Sequence, residues 1–386
     1  MSTKQEELGR RLKSMRESVG LTQEEVSKRT DLGRTALSEI ENGKRRVDSV
    51  ELEQLAEVYG VRISDFFEED PVDTSSIVAK FRSDPELADD DTLDEAVRRY
   101  VRLCSTVAEL EGELGQTEEG SQLQLYAEPP LRHKLEAVRQ ARELAKTERN
   151  RLDLQSQPIS NLAELINSQG VRVGEHNLPG EVSGLFFRHP QAGPFIVINE
   201  GHPTVRRRFS VAHEYCHALF DHDEEALVSK IGERSLREVR ANSFAAHFLM
   251  PEDAVKNLVE DTSDGDGVDV FDAAHVAQHF GTSYRSTVYH LHNASIIDAN
   301  KRDTLLAKVE TARRVSKELW GTTWQDREGR SPLSAWVLDI ALDAFKADII
   351  SRGRLEELAE EAGISSELTD ELLLDEETSI SPAQPV

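Results

Sequence analysis

The chain predicts a multidomain, mostly α protein: an all-helical N-terminal unit, a central α+β unit with a small sheet, and a helical C-terminal region. Three observations carry that class. Leu8, Leu12 and Met15 open an apolar spacing of three and four that continues, between turn signals, to residue 68. Three short β-type runs cluster between residues 171 and 199. Helical spacing returns at Arg207 and persists to the acidic end.

Composition bounds the rest. At 386 residues the chain can build two or three cores, and 38% hydrophobic with 31% charged residues suits a strongly hydrated protein. No run approaches the roughly eighteen apolar residues of a membrane span. The opening residues lack the apolar core of a signal peptide. A cytoplasmic protein without a membrane partner is expected. Cys104 and Cys216, the two cysteines, cannot build a disulfide framework or a Cys-rich zinc site, which agrees with a reducing compartment. The net charge of −26 argues against broad nucleic-acid binding. Residues 1–46, however, carry eleven Lys/Arg against eight Asp/Glu, while Leu355 to Glu377 is heavily acidic. Nucleic-acid contact should be local and N-terminal.

Residues 5–68 form the first domain. Gly20 ends the helix of Leu8, Leu12 and Met15. Thr22-Gln23-Glu24-Glu25 then has the capping-box pattern, in which a Thr hydroxyl and a Glu carboxylate each satisfy the other's backbone N–H. Asp31-Leu32-Gly33 is a turn, Arg34 to Asn42 a third helix stopped by Gly43, and Ser49 starts a fourth that closes at Gly60. Two short helices joined by a tight turn make a helix-turn-helix. The segments Leu21 to Val26, Leu37 to Arg45 and Leu55 to Val61 resemble the Cro and lambda-repressor (Xre) type of that domain. The resemblance implies that Arg34, Thr35 and Ser38 face the major groove of operator DNA. It implies that Gln23 clamps a phosphate and buttresses the reader helix, and that Lys44 and Arg45 meet the backbone.

Residues 69–130 read as a helical linker. Its helix, from about Thr92 to Leu114, carries Val97, Tyr100, Cys104, Val107, Leu110 and Leu114 at spacings of three and four. That stripe suits either a homodimer seam through 92–114 or packing on its own chain. Gly115 to Gly120 is a flexible break.

The central domain, 131–296, begins with helices at Leu131 to Leu152 and Ile159 to Ile166. Strands follow at Val171-Arg172-Val173, Gly184 to Phe187 and Phe195 to Asn199, with His189 to Pro194 as a hairpin connection. Next comes Ala212-His213-Glu214-Tyr215-Cys216-His217, an H-E-x-x-H motif in a helix of about Arg207 to Phe220. Four-residue spacing puts both imidazoles on one helix face, within reach of one metal ion. Glu214 is placed to take the proton of a water activated by that metal. Two histidines leave the metal short of ligands. The helix at Leu236 to Leu249 offers Glu238 ahead of the small residues Ala241, Ala245 and Ala246, which permit close helix approach. His222 and His247 compete for the role. His222 points elsewhere on a straight helix, and His247 lies nine residues beyond Glu238.

Arg207 to His217, Glu238 to Ala246 and Phe248-Leu249-Met250-Pro251 together resemble the ImmA/IrrE family of zinc metallopeptidases. The similarity extends from Pro158-Ile159 to Ile198-Asn199 and over Phe271 to Ile296. It implies a zincin-like fold, Zn2+ held by His213, His217 and Glu238, and Glu214 as catalytic acid/base. The family's substrates are DNA-binding repressors, cut to switch on stress-response or mobile-element genes, and some members carry a helix-turn-helix on the same chain. Where the family often has glycine, this chain has Cys216, open to reading as a fourth ligand, an oxidation sensor or a packing residue.

Residues 297–386 show no chemical motif. The expected protein is therefore a DNA-bound zinc endopeptidase that cuts a repressor-type protein. The alternative is a non-proteolytic regulator, or the antitoxin of a toxin–antitoxin pair with a cognate toxin as partner, in which the zinc site is structural or sensory.

Overall fold

The computed structural model describes residues 4–18, 21–59, 63–67, 91–116, 123–178, 180–189, 193–221, 226–230, 232, 234–262, 267–321 and 332–379. The chain divides into two compact units, residues 1–79 and 80–386. Among the described residues, no helix is long and apolar enough to cross a membrane.

The first unit holds α1 (Lys4–Ser18), α2 (Gln23–Arg29), α3 (Arg34–Glu41), α4 (Ser49–Tyr59) and a 3-10 turn at Ile63–Phe66. Its core is the stripe read from the sequence, with Leu12, Val26, Leu37, Ile40, Leu55 and Phe66 buried. The capping box exists: the Thr22 hydroxyl accepts from the Glu25 N–H, and the Glu25 carboxylate accepts from the Thr22 N–H at 2.8 Å. Gly43 stops α3 in the left-handed region, at φ 67°. The stops expected at Gly20 and Gly60 lie outside the described residues. At Gly9, α1 meets the end of α3 at backbone contact; a Cβ there would stand 2.4 Å from the Ile40 carbonyl.

In the second unit, α5 (Asp91–Glu113) is followed by α6 (Lys134–Arg151) and α7 (Leu162–Asn167). Strands β1 (Arg172–His176), β2 (Val182–His189) and β3 (Gly193–Asn199) come next, then α8 (Thr204–Phe220), β4 (Ala226–Lys230) and α9 (Leu236–Leu249). The remaining helices are α10 (Glu252–Thr262), α11 (Val270–Phe280), α12 (Tyr284–Asn293), α13 (Ala299–Leu306), α14 (Val309–Leu319), α15 (Pro332–Lys346), α16 (Arg352–Glu361) and α17 (Ser366–Ser379). The four-stranded sheet has the order β1-β3-β2-β4. Strand β1 runs parallel to β3; the other pairs are antiparallel. β2 and β3 form the expected hairpin, with His189 opposite Gly193 and residues 190–192 outside the described set.

The unbroken apolar run Phe195 to Ile198 follows from burial on both faces, because alternate side chains of a strand point to opposite sides. Phe186, Ile196 and Ile198 join the core under α8. On the other face, Phe187 stacks on Phe195, whose ring meets Trp336 of α15 at 6.3 Å between centroids. Helix α5 packs on this side as well. Val101, Cys104, Val107 and Leu110 are buried within the unit. Trp336 and Arg172 both bond Glu111, and Ser105 bonds His189 at 2.8 Å. Of the two readings of the 92–114 stripe, packing on its own chain is the one these contacts support, the sheet and a helix more than two hundred residues later supplying the cover. Val97 lies outside the residues with described side chains.

Helix α8 is buried from Ser210 to Phe220. It is also anchored by polar contacts. The buried Glu148 carboxylate of α6 accepts from the Tyr215 hydroxyl at 2.6 Å, from Tyr126 at 2.7 Å and from Arg151 at 2.6 Å. Satisfying every oxygen is what makes a buried carboxylate tolerable.

Candidate metal centre and nucleic-acid interface

Helix α8 places His213 and His217 on one face, and α9 packs across it. Ala241 and Ala245 of α9 are fully buried, as close helix approach demands. Glu238 thereby reaches both imidazoles: its oxygens lie 3.1 Å from His213 Nε2 and 3.1 Å from His217 Nε2. The two Nε2 atoms are 3.2 Å apart. Ligand atoms of these three residues all fall within 4.8 Å of one another, the one such grouping among the described residues. Of the competitors, His247 bonds Glu252 and the Ser243 carbonyl instead. His222 lies outside the described residues. Cys216 is not in the grouping; it is fully buried in the core, and burial pushes its thiol well above the ordinary range. Packing is the role this geometry supports.

Two imidazole nitrogens and a carboxylate oxygen are the donor set of a three-ligand zinc site. The far nitrogens are held too. His217 Nδ1 lies 2.7 Å from Asp221 and His213 Nδ1 lies 3.2 Å from Asn242. The Nε2 edges of both rings are thus turned toward the shared space. Burial alone would depress His217, but the Asp221 and Glu238 carboxylates outweigh it and hold it up at about 10. Burial likewise opposes ionising Glu238, yet the paired imidazoles hold its carboxyl well below the ordinary range.

Glu214 has no exposed surface, and neither oxygen is in good hydrogen-bond geometry, although the Ser229 hydroxyl of β4 favours its charged form. Burial raises its pKa, opposed by His213 and His217. Gly184 of β2 makes room for it: a Cβ there would stand 2.8 Å from Glu214 Oε1. A buried carboxylate with unsatisfied oxygens beside a cluster of donors is placed to handle a proton. Sequence reasoning missed Asp221, Asn242 and Gly184. Four-residue spacing on one helix, from His217 to Asp221, was the available signal for the first.

In the N-terminal unit, Gly33 caps α3, leaving Arg34 and Thr35 exposed at its start, with Ser38 one turn on. Gln23 bonds Glu41 at 2.8 Å, tying α2 to the end of α3. Glu41 also takes a buried ion pair from Arg16 at 2.6 Å. Arg45 is held by Glu51 at 2.7 Å. Lys44 follows α3 in the turn, its backbone N–H bonded to the Glu39 carbonyl.

Comparison with known proteins divides the chain the same way. Residues 7–65 match the model of a helix-turn-helix domain, and residues 166–292 that of the M78 peptidases, described as an IrrE N-terminal-like domain. Control protein C.MunI of Mycoplasma sp. is 43% identical over 60 residues, which are 15% of this chain and 81% of that protein. Bacillus thuringiensis PlcR, solved in complex with the peptide PapR7 and DNA, aligns over 98% of this chain and all of its own, at 13% identity and a TM-score of 0.20. ComR of Streptococcus suis aligns over 96% of this chain and 97% of its own, at 11% identity and a TM-score of 0.17. Scores that low carry no argument. The family-model matches and the control protein do: the chain belongs to the helix-turn-helix regulators through its N-terminal domain and carries, behind it, an IrrE N-terminal-like domain of the M78 peptidase class.

Proposed function

We propose that the chain is a DNA-binding regulator with a zinc-dependent endopeptidase domain, cleaving a repressor-type protein near the operator to which residues 5–68 bring it. One observation carries the catalytic half: His213, His217 and Glu238 converge within 4.8 Å beside the buried, unsatisfied Glu214. The central domain is read as 131–296, between a helical 69–130 and a C-terminal helical region, 297–386. His213, His217 and Glu238 would hold Zn2+, which, when bound, supplies Lewis acidity to polarise a scissile carbonyl and acidify water. Glu214 takes a proton from the attacking water and passes it to the leaving amine. Its raised pKa eases that shuttle, because a carboxyl shielded from water by burial accepts a proton nearer neutral pH. In the reader domain, Arg34, Thr35 and Ser38 address base edges, Lys44 and Arg45 the phosphates, and Gln23 braces α3 from Glu41. A cytoplasmic site of action follows from an operator as the target.

The test is Glu214→Gln, which keeps size and polarity but cannot take a proton. With a repressor-type protein encoded beside the gene as substrate, cleavage falls about a hundredfold or more while zinc content stays at one per chain. Parental cleavage by that variant would sink the mechanism.

A further inference from the structure

Both imidazoles of the centre lean on a second residue, and the two supports differ. His213 meets a neutral amide, Asn242, at 3.2 Å. His217 meets a carboxylate, Asp221, at 2.7 Å, with both side chains buried. Asp221 is the C-cap of α8, and its backbone N–H returns to the His217 carbonyl at 2.8 Å. Its other oxygen is taken by Arg240 Nη2 at 2.7 Å, with Arg237 Nε at 3.4 Å. Arg240 is fully buried, lies 4.4 Å from the centre of the Phe220 ring, and reaches Glu128 at 3.1 Å. It stands on α9, two residues past Glu238.

We propose that Asp221 and Arg240 are positioning residues of the metal centre, Asp221 holding the His217 imidazole and Arg240 holding Asp221. This rests on reading His213, His217 and Glu238 as the metal ligands. The chemistry is directional. A carboxylate accepting the Nδ1 proton fixes that tautomer and turns the Nε2 lone pair toward the shared space. Left alone, Asp221 could swing about its own side-chain bonds. Arg240 removes that freedom, and because it shares α9 with Glu238, one helix sets both the carboxylate ligand and the orientation of an imidazole ligand. A buried ion pair is a weak source of net stability. The pair's value lies in aligning α8 with α9 at the centre.

The experiment measures zinc affinity of the full chain by chelator competition, and the visible spectrum after Co2+ replaces zinc. Asp221→Ala leaves Arg240 a partner in Glu128. The double variant Asp221→Leu/Arg240→Met removes both charges together and serves if the single one folds poorly. Each folded variant is expected to bind zinc about ten- to a hundredfold more weakly, with altered Co2+ bands. Parental affinity and spectrum in either folded variant would overturn the proposal. Glu238→Ala is the control: if it too keeps parental zinc affinity, the ligand assignment itself fails, whereas loss in Glu238→Ala beside retention in the Asp221 variants overturns the positioning role alone.

Discussion

Replacing Gly9 with alanine sets two known effects against each other. In a helix interior, Gly→Ala ordinarily stabilises by about 0.5–1 kcal/mol, because alanine has less backbone freedom to lose. At this position the new methyl would lie 2.4 Å from the Ile40 carbonyl oxygen, 2.9 Å from that of Glu41 and 3.0 Å from Gly43 N. The closest approach is about 1 Å short of ordinary van der Waals contact, and all three atoms are backbone, so no side chain can swing aside. Helix α3 must move off α1. Overpacking of this kind costs about 1–3 kcal/mol, and contact this short with three backbone atoms lies at the upper end, so the propensity gain is outweighed by about 2 kcal/mol. The shift falls where Glu41 holds both Arg16 and Gln23, so the reader helix loses its brace as well. Denaturant unfolding followed by far-UV circular dichroism measures the first effect, and anisotropy of a labelled operator duplex the second. A Gly9→Ala protein as stable as the parent, with undiminished operator affinity, would refute the reasoning that α1 and α3 are held at backbone contact.

Two further outcomes follow from buried groups. Gly184→Ala should crowd Glu214, whose Oε1 would stand 2.8 Å from the added methyl, and should lower cleavage about a hundredfold with zinc retained; undiminished cleavage would show that the carboxylate does not act from that cradle. His290 is held down at about 3, first by burial, then by His247 and Arg142 nearby. Its ordinary value is 6.5, so the unfolded chain binds the extra proton between these two values. Stability is therefore full above pH 6.5 and is lost as pH falls toward 3, at about 1.4 kcal/mol per pH unit. Urea titrations of parent and His290→Leu proteins should show the parent losing about 2 kcal/mol more between pH 6.5 and 5; parallel curves would contradict this.

Local signals were the readable ones. Thr22 with Glu25, Gly43, the Leu236–Leu249 helix and the apolar strand runs act within a few residues of themselves, where backbone chemistry decides. At the centre, His213 and His217 follow from helix geometry, and the small residues after Glu238 pointed to a second helix close by. What escaped notice depends on distant partners. Strand β4, Ala226 to Lys230, has no alternation to betray it, because its buried residues, Ala226 and Ser229, stand three apart rather than two. The stripe of α5 leaves a homodimer seam and packing on its own chain equally open, because nothing near it in sequence shows that Trp336 and Leu333 cover this region of the sheet. Gly184 was invisible as a site residue because its role is to lack a side chain.

The phenol of Tyr215 has a consequence for how the centre holds its shape. Apolar packing resists the rotation of a helix about its axis through shape alone, whereas a hydrogen bond resists it through direction. An imidazole nitrogen about 6 Å from that axis would travel about 2 Å in a roll of only 20°. Tyr215 lies about 200° around the cylinder from both His213 and His217, and its hydroxyl is caught by Glu148 at 2.6 Å. A directional bond on the rear therefore fixes the azimuth of the front. Apolar packing sets how deep α8 lies; Tyr215, together with the buried Arg208 that donates to the Ile159 and Gly281 carbonyls, sets which way it faces.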